Sequence, residues 1–301
     1  MKYSSVIHTL NFIVSHPLNS HRKYHALLDY LKWQIGSRLV PGEVLFDWVE
    51  GVKLIVRTGE TGLTQNVYCG LQEFYEMGYV LNVLSKGDLF VDIGANSGAY
   101  TLLACGVCHA NGYAIEPIPT SFIRLQTNIR LNNIVQQVKA LNIGISSQEG
   151  ELWFTDSEDT MNHVISGSES TKSMIKVNVA TLDKILDGES PSLIKIDVEG
   201  FEMSVLNGAS RVLNNKRLHS LIIELNCSGA RYGFKDKDVI GFMESYGFYT
   251  YHYNPFERKL RRIEGKNTYS DNALFIRNEE MVMRNIIKAP KRTIKNNNIK
   301  I

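Results

Sequence analysis

The stretch Asp88-Leu89-Phe90-Val91-Asp92-Ile93-Gly94-Ala95-Asn96-Ser97-Gly98-Ala99-Tyr100-Thr101 constrains this 301-residue chain more than any other. Phe90 to Ile93 has the length and apolar character of a short buried strand, interrupted only by Asp92. A turn bounded by Gly94 and Gly98 follows, and Thr101-Leu102-Leu103-Ala104 then continues at helical spacing. Strand, glycine turn and helix form the geometry that aims backbone N–H groups at a ligand from a helix N-terminus. Parallel strands need crossover connections, so such a unit belongs to a sheet with helices on its faces.

The chain downstream alternates in the same way. Gly112–Glu116, Val138–Ile145, Leu193–Gly200 (a strand with its exit) and Ser220–Leu225 are expected strands, with Glu151–Phe154 and Val177–Ala180 as short additional extended pieces. Ser121 is the expected cap of a helix carrying Phe122, Leu125 and Ile129, and a second helix covers Val239 to Tyr246. Phe248–Tyr253 and Asn272–Ile276 are expected as a closing hairpin. The polar stretch Asp156–Ser173 is expected to be a long surface loop, a length usually tied to function or disorder. Altogether residues 86–277 form an α/β domain.

Residues 1–85 precede it as a helical and hairpin extension. Tyr24, Leu27, Leu28, Leu31 and Ile35 share one face of a helix expected to pack on the main domain, a lid or dimer contact being the alternative. Glu50-Gly51 between two β-rich runs marks a hairpin, and Leu71–Leu84 a further helix. At the other end, residues 278–301 are expected to be a mobile basic tail. Arg284 to Lys300 holds six basic residues and no acid, leaving the rest of the chain at −4 out of a net +2. The fold itself is thus not a nucleic-acid binder, and the tail offers at most a weak contact with an anionic membrane surface. Four cysteines are too few for a disulfide scaffold of this size. Val6–Val14 lacks the uniform apolarity and small-residue site of a signal peptide, and no stretch has the length of a membrane span. A cytoplasmic location is expected.

Asp92 discriminates between ligands of the turn. A dinucleotide would place pyrophosphate there, against a carboxylate; S-adenosylmethionine (SAM) would place a sulfonium and an ammonium, which a carboxylate attracts. Glu116 lies about 20 residues beyond the turn, the spacing at which an acid at the next strand end holds ribose hydroxyls. The expected cofactor residues are Asp92, Gly94, Ala95, Asn96, Ser97, Gly98 and Glu116. The rival readings are an NAD-linked oxidoreductase, opposed by Asp92 and by Asn96 at the middle glycine position, and a non-catalytic protein on the same fold.

Lys195, Asp197 and Glu199 alternate with Ile194, Ile196 and Val198, which puts the three charges on one side of a central strand. Charges there must be paired or functional. Either Lys195 and Asp197 form a structural pair, or Asp197 and Glu199 face the reacting centre as catalytic residues. Asp197, Glu224 and Asn226 offer an oxygen-rich alternative, a Mg²⁺ site that would lower the pKa of an acceptor hydroxyl. His163 in the polar loop is a further base candidate. Cys105-Gly106-Val107-Cys108-His109 matches a haem attachment pattern but lies at the end of the helix after the glycine turn, where small packing residues explain it. Asn226-Cys227-Ser228 fits a glycosylation sequon only by chance, since it follows a core strand.

Together, Phe90-Val91-Asp92-Ile93-Gly94-Ala95-Asn96-Ser97-Gly98, Ala114-Ile115-Glu116-Pro117, Thr181-Leu182-Asp183, Ile194-Lys195-Ile196-Asp197-Val198-Glu199-Gly200-Phe201-Glu202 and Leu206-Asn207-Gly208-Ala209 resemble the FkbM-type SAM-dependent methyltransferases. The resemblance spans about residues 70–276. It implies a doubly wound, mostly parallel seven-stranded Rossmann-like sheet with a reversed final strand. It also implies O-methylation of a saccharide or natural-product hydroxyl, with members from surface-polysaccharide gene sets resembling the N-terminal segment more loosely. The acceptor and the oligomeric state are left open.

Overall fold

The computed structural model describes residues 3–40, 42–59, 61–156, 161–167, 173–294 and 299–301. The extension comprises α1 (Tyr3–Ser15), α2 (Lys23–Leu39), a hairpin of β1 (Glu43–Asp47) and β2 (Lys53–Arg57), α3 (Thr61–Cys69) and α4 (Phe74–Val83). The hairpin turns where expected, with Glu50 and Gly51 both at positive φ. α3 carries no sequence signal that marked it beforehand. α4 is buried at every position but Tyr75 and forms part of the core on one face of the main sheet.

The domain then runs β3 (Leu89–Ile93), α5 (Ala99–Thr101) continuing as a π-helix over Leu102–Val107, β4 (Asn111–Ile115), α6 (Pro119–Leu131) and β5 (Val138–Leu141). A small sheet of β6 (Gly144–Ile145), β7 (Gly150–Thr155) and β8 (Met174–Ala180) follows. The chain continues through α7 (Leu182–Ile185), β9 (Leu193–Ile196), α8 (Glu202–Asn207), α9 (Ser210–Asn214), β10 (Ser220–Glu224) and α10 (Asp236–Ser245). It closes with β11 (Tyr249–Asn254), β12 (Lys259–Arg262), β13 (Asn272–Ile276), α11 (Glu279–Lys288), β14 (Thr293–Ile294) and β15 (Ile299–Lys300).

The main sheet has the order β12-β11-β13-β10-β9-β3-β4-β5. β5, β4, β3, β9 and β10 are parallel, and β13 runs against β10. The seven expected strands are all present, with the reversed strand where the resemblance placed it. An eighth, β12, adds to the edge, so β11 hairpins with β12 and meets β13 only as a neighbour. β3 lies between β4 and β9, so the chain winds outward from it in both directions. The crevice at the carboxyl ends of β3 and β9 is therefore the switch point where α/β sheets bind ligands.

Several local expectations change. α6 starts at Pro119, whose fixed φ suits a first helical position, and Ser121 lies buried inside its first turn. Val138–Ile145 splits at Asn142, which turns its side-chain amide onto the carbonyls of Glu116 and Pro117 at 2.8 and 2.9 Å. Residues 278–294 are an ordered helix and strand, not a mobile tail. Asn278 accepts the Met281 N–H at 3.0 Å, and Val282 and Ile286, four apart, are fully buried. Six of the segment's seventeen residues are charged, but Val282 and Ile286 fall on one helical face and carry it into the core. Asn296-Asn297-Asn298, expected to mark disorder, lie outside the described residues. α2 packs through Ala26, Tyr30 and Trp33, while Tyr24, Leu31 and Ile35 of the expected packing stripe are more than half exposed. No helix among the described residues is long and apolar enough to cross a membrane.

Candidate active site

A cavity of about 270 Å³ opens at the carboxyl ends of β3, β4, β9 and β10. The glycine turn forms its floor. Gly94 and Ala95 donate their N–H groups to the Ile115 carbonyl at 2.9 and 3.0 Å, which locks the turn to the end of β4. Gly94 has φ +77°, and a Cβ there would sit 1.7 Å from the Asp197 carbonyl oxygen. Only glycine permits β3 and the β9 exit to approach so closely. Asn96 also has positive φ, and its N–H donates to Glu116 Oε2 at 2.8 Å. The second Glu116 oxygen accepts the Ile118 N–H at 2.9 Å. Burial pushes the Glu116 carboxyl up to about 7, with the two N–H bonds working in the other direction.

Asp92 lines the cavity but turns one oxygen inward. Its Oδ2 accepts the Thr101 N–H at 3.0 Å and the Thr101 hydroxyl at 2.6 Å, tying β3 to the helix after the turn. Burial raises it to about 6, opposed chiefly by Lys195. Ser97 is buried, and its carbonyl accepts the Asn128 amide at 2.8 Å. Gly94, Ala95, Asn96, Ser97, Asp92 and Glu116 all reach the cavity wall; Gly98, at φ +92°, shapes the helix start behind it.

The opposite wall is acidic. Lys195, 2% exposed, bonds Asp197 at 2.6 Å, as the structural-pair reading of β9 expected. Its ammonium also lies 4.8 Å from the centre of the Tyr100 ring. Burial opposes the lysine charge, but Asp197, Glu73 and Asp92 outweigh it and hold the ammonium above its ordinary value. Glu73, just before α4, accepts the Tyr100 hydroxyl. Carboxylate oxygens of Asp197, Glu199 and Glu224 come within 4.8 Å of one another. Burial, then the charges of Asp197 and Glu199, drives Glu224 far above the carboxylate range. Glu199 is raised to about 7, first by burial and then by Asp197 and Glu202. Its backbone sits at φ 54°, an uncommon conformation for a residue with a side chain, directly before Gly200 at φ 102°.

Among the acids, histidines and cysteines of the described residues, the set that converges as for a cation is Asp197, Glu199 and Glu224, which adds Glu199 to the expected Asp197 and Glu224. The Asn226 oxygen accepts the Ser228 N–H at 2.9 Å. Lys195 already supplies a positive charge to this group through Asp197. His163 does not line the cavity: it is buried, its ring Nδ1 lies 3.0 Å from the Met161 carbonyl, and its backbone pairs with Thr155. The neighbours Asn162 and Val164 reach the cavity instead. The described part of the Asp156–Ser173 stretch thus folds inward, with Val164 bridging Phe154 and Tyr232 donating to the Val164 carbonyl at 2.5 Å. Leu63, Gln65, Gln72 and Glu73 bring the N-terminal extension into the wall. Their sequence signal is limited to Glu73 at the opening of a mostly apolar helix. The four cysteines are free, and Cys105 and Cys108 are buried packing residues.

Residues 92–249 match the methyltransferase FkbM domain. The chain is 30% identical over 167 residues to the hexuronic acid methyltransferase AglP of Haloferax volcanii, covering 53% of this chain and 63% of that protein. It is 29% identical over 160 residues to Methyltransferase 1 of Beauveria bassiana, covering 45% and 64%. The chain thus spans just under two thirds of these relatives. Among solved structures, the FkbM methyltransferase of Methylobacillus flagellatus KT aligns at a TM-score of 0.45 with 19% identity, over 64% of this chain and 44% of that one. The domain match takes in the glycine turn, Glu116 and the acidic wall, and on it the chain belongs to the FkbM methyltransferase family.

Proposed function

We propose that the chain is a SAM-dependent O-methyltransferase acting on a hydroxyl of a saccharide or glycosylated acceptor. One arrangement carries the reading: a cavity at the switch point bounded by the Glu116-braced glycine turn on one side and by Asp197, Glu199 and Glu224 on the other. When bound, SAM supplies an electrophilic methyl group on a sulfonium. Glu116 is suited to ribose hydroxyls, because each of its oxygens keeps a lone pair after accepting one N–H. The carboxylates of Asp92 and Asp197 place negative charge where a sulfonium and an ammonium are favoured. Family membership and this charge leave the NAD reading without support.

The chain's remaining task is to take the hydroxyl proton and hold the acceptor in line. Asp197 is engaged by Lys195, and burial beside Asp197 and Glu199 drives Glu224 far above the carboxylate range. Glu199, raised to about 7, is the group poised to accept one near neutral pH. Incubation with SAM and a panel of glycan acceptors, read by mass spectrometry, tests this. The reading expects a methyl ether on a sugar hydroxyl; a methyl ester or methylamine as the sole product contradicts it. The three converging acids also allow a magnesium-assisted version, in which Asp197, Glu199 and Glu224 hold the ion. Activity that survives EDTA removes that version.

A further inference from the structure

α2 is apolar on two sides. Its inner side packs on α3, where Tyr30 meets Tyr68 at 5.4 Å between ring centres and Ala26 is fully buried. Its outer side carries Tyr24, Leu31, Ile35 and Leu39 at helical spacing, exposed by 70, 52, 52 and 76%. Val40, directly after the helix, is exposed by 73%. Tyr24, Leu31, Ile35 and Leu39 follow one another by seven, four and four residues on a single helix, so they form one stripe and not scatter. A helix apolar on both sides belongs between two partners, and the chain supplies one.

The patch is rimmed by cations. Lys23, Lys32 and Arg38 are exposed on α2, whose one acid, Asp29, is bonded by Arg22 at 2.5 Å and lies 4.0 Å from the largely exposed Lys32 ammonium. A two-fold contact between copies would bring each basic rim toward its own equivalent. An anionic surface neutralises the rim while the apolar stripe leaves water.

We propose that the outer face of α2 docks on an anionic phospholipid bilayer, with Leu31 and Ile35 at the headgroup–acyl boundary and Lys23, Lys32 and Arg38 among the phosphates. Interfacial helices bind in this way, with strength set by buried apolar area and by attraction to anionic lipid. Leu63 and Gln65 of the adjoining α3 line the cavity, so the docked face and the candidate active site share one element. The proposal does not depend on which reaction the cavity performs.

Flotation of the full chain with vesicles tests it. Phosphatidylcholine vesicles containing about a third phosphatidylglycerol should carry the protein, and pure phosphatidylcholine vesicles should carry at least about tenfold less. Salt near 1 M should weaken the binding. Leu31→Glu with Ile35→Glu should reduce bound protein at least about tenfold; unchanged SAM affinity and thermal unfolding would show that the fold is intact. Lys23→Glu with Lys32→Glu should remove the preference for anionic lipid. Absence of flotation, or flotation indifferent to the Leu31/Ile35 double variant, overturns the proposal. So does a dimer in light scattering that this double variant splits, because the face is then occupied by a second copy.

Discussion

Asp92 and Lys195 face each other as register partners on β3 and β9, yet the Lys195 ammonium bonds Asp197, two residues further along its own strand, at 2.6 Å. One buried cation therefore serves acids on two strands, with Glu73 of the N-terminal extension as a third. The turn that holds the cofactor side and the wall that borders the acceptor side share this charge.

Replacing Lys195 with Met should be severe. It leaves buried Asp92 and its neighbours without a counter-charge, and removing one member of a buried pair costs about 3 kcal/mol or more. Urea unfolding at neutral pH checks this. A loss below about 1 kcal/mol would show that the acids are already neutral and do not need the lysine.

Gly94→Ala combines a forbidden contact with a strained φ. The added carbon would meet the Asp197 carbonyl, a backbone atom that cannot swing away, so β3 and the β9 exit must part. We expect a stability loss of about 3 kcal/mol or more together with loss of SAM binding. A folded variant that binds SAM normally would contradict the close approach.

Glu116→Ala removes the acceptor of two N–H groups, those of Asn96 and Ile118. SAM affinity should fall about 10- to 100-fold, from the lost ribose contact and a loosened turn. Glu116→Gln keeps an oxygen for one N–H and should fall between that variant and the parent in calorimetric titration. Unchanged affinity in both would move the ribose contact elsewhere.

Two acids give opposite pH signatures. Glu199 works as a base only when ionised, so turnover should rise with pH through about 7, and Glu199→Gln should lose that limb of the profile. Glu76 concerns stability. It is 3% exposed, with Oε2 unpartnered, and burial followed by the Glu73 charge raises it to about 8 from an ordinary 4.5. A raised acid binds its proton more tightly when folded, so it opposes folding increasingly as pH climbs from the unfolded value to the folded one. Glu76→Gln should therefore be nearly neutral around pH 4 and stabilise by up to roughly 5 kcal/mol near pH 9. An equal effect at both ends would contradict that assignment.

The sequence carried the sheet and the turn well, because both rest on local patterns. Gly94 and Gly98 mark the turn directly, and Glu116 lies at a spacing set by one crossover. The site's remainder depends on non-local packing. Glu73 reaches the cavity only because α4 lies on the sheet, and it sits far in sequence from Tyr100, whose hydroxyl it accepts. His163 has the chemistry of a base but is folded away, while its plain neighbours Asn162 and Val164 line the wall. The same limit misplaced the outer stripe of α2 and the C-terminal helix. Helical spacing shows that apolar residues share a face, but not which face finds a partner.

The central claim is that the Glu116-braced turn accepts SAM and not a dinucleotide. Calorimetric titration of the full chain with each ligand tests it most directly. The account predicts saturable binding of SAM, weakened by Glu116→Ala, and no heat with NAD. Tight NAD binding without a SAM signal would contradict it.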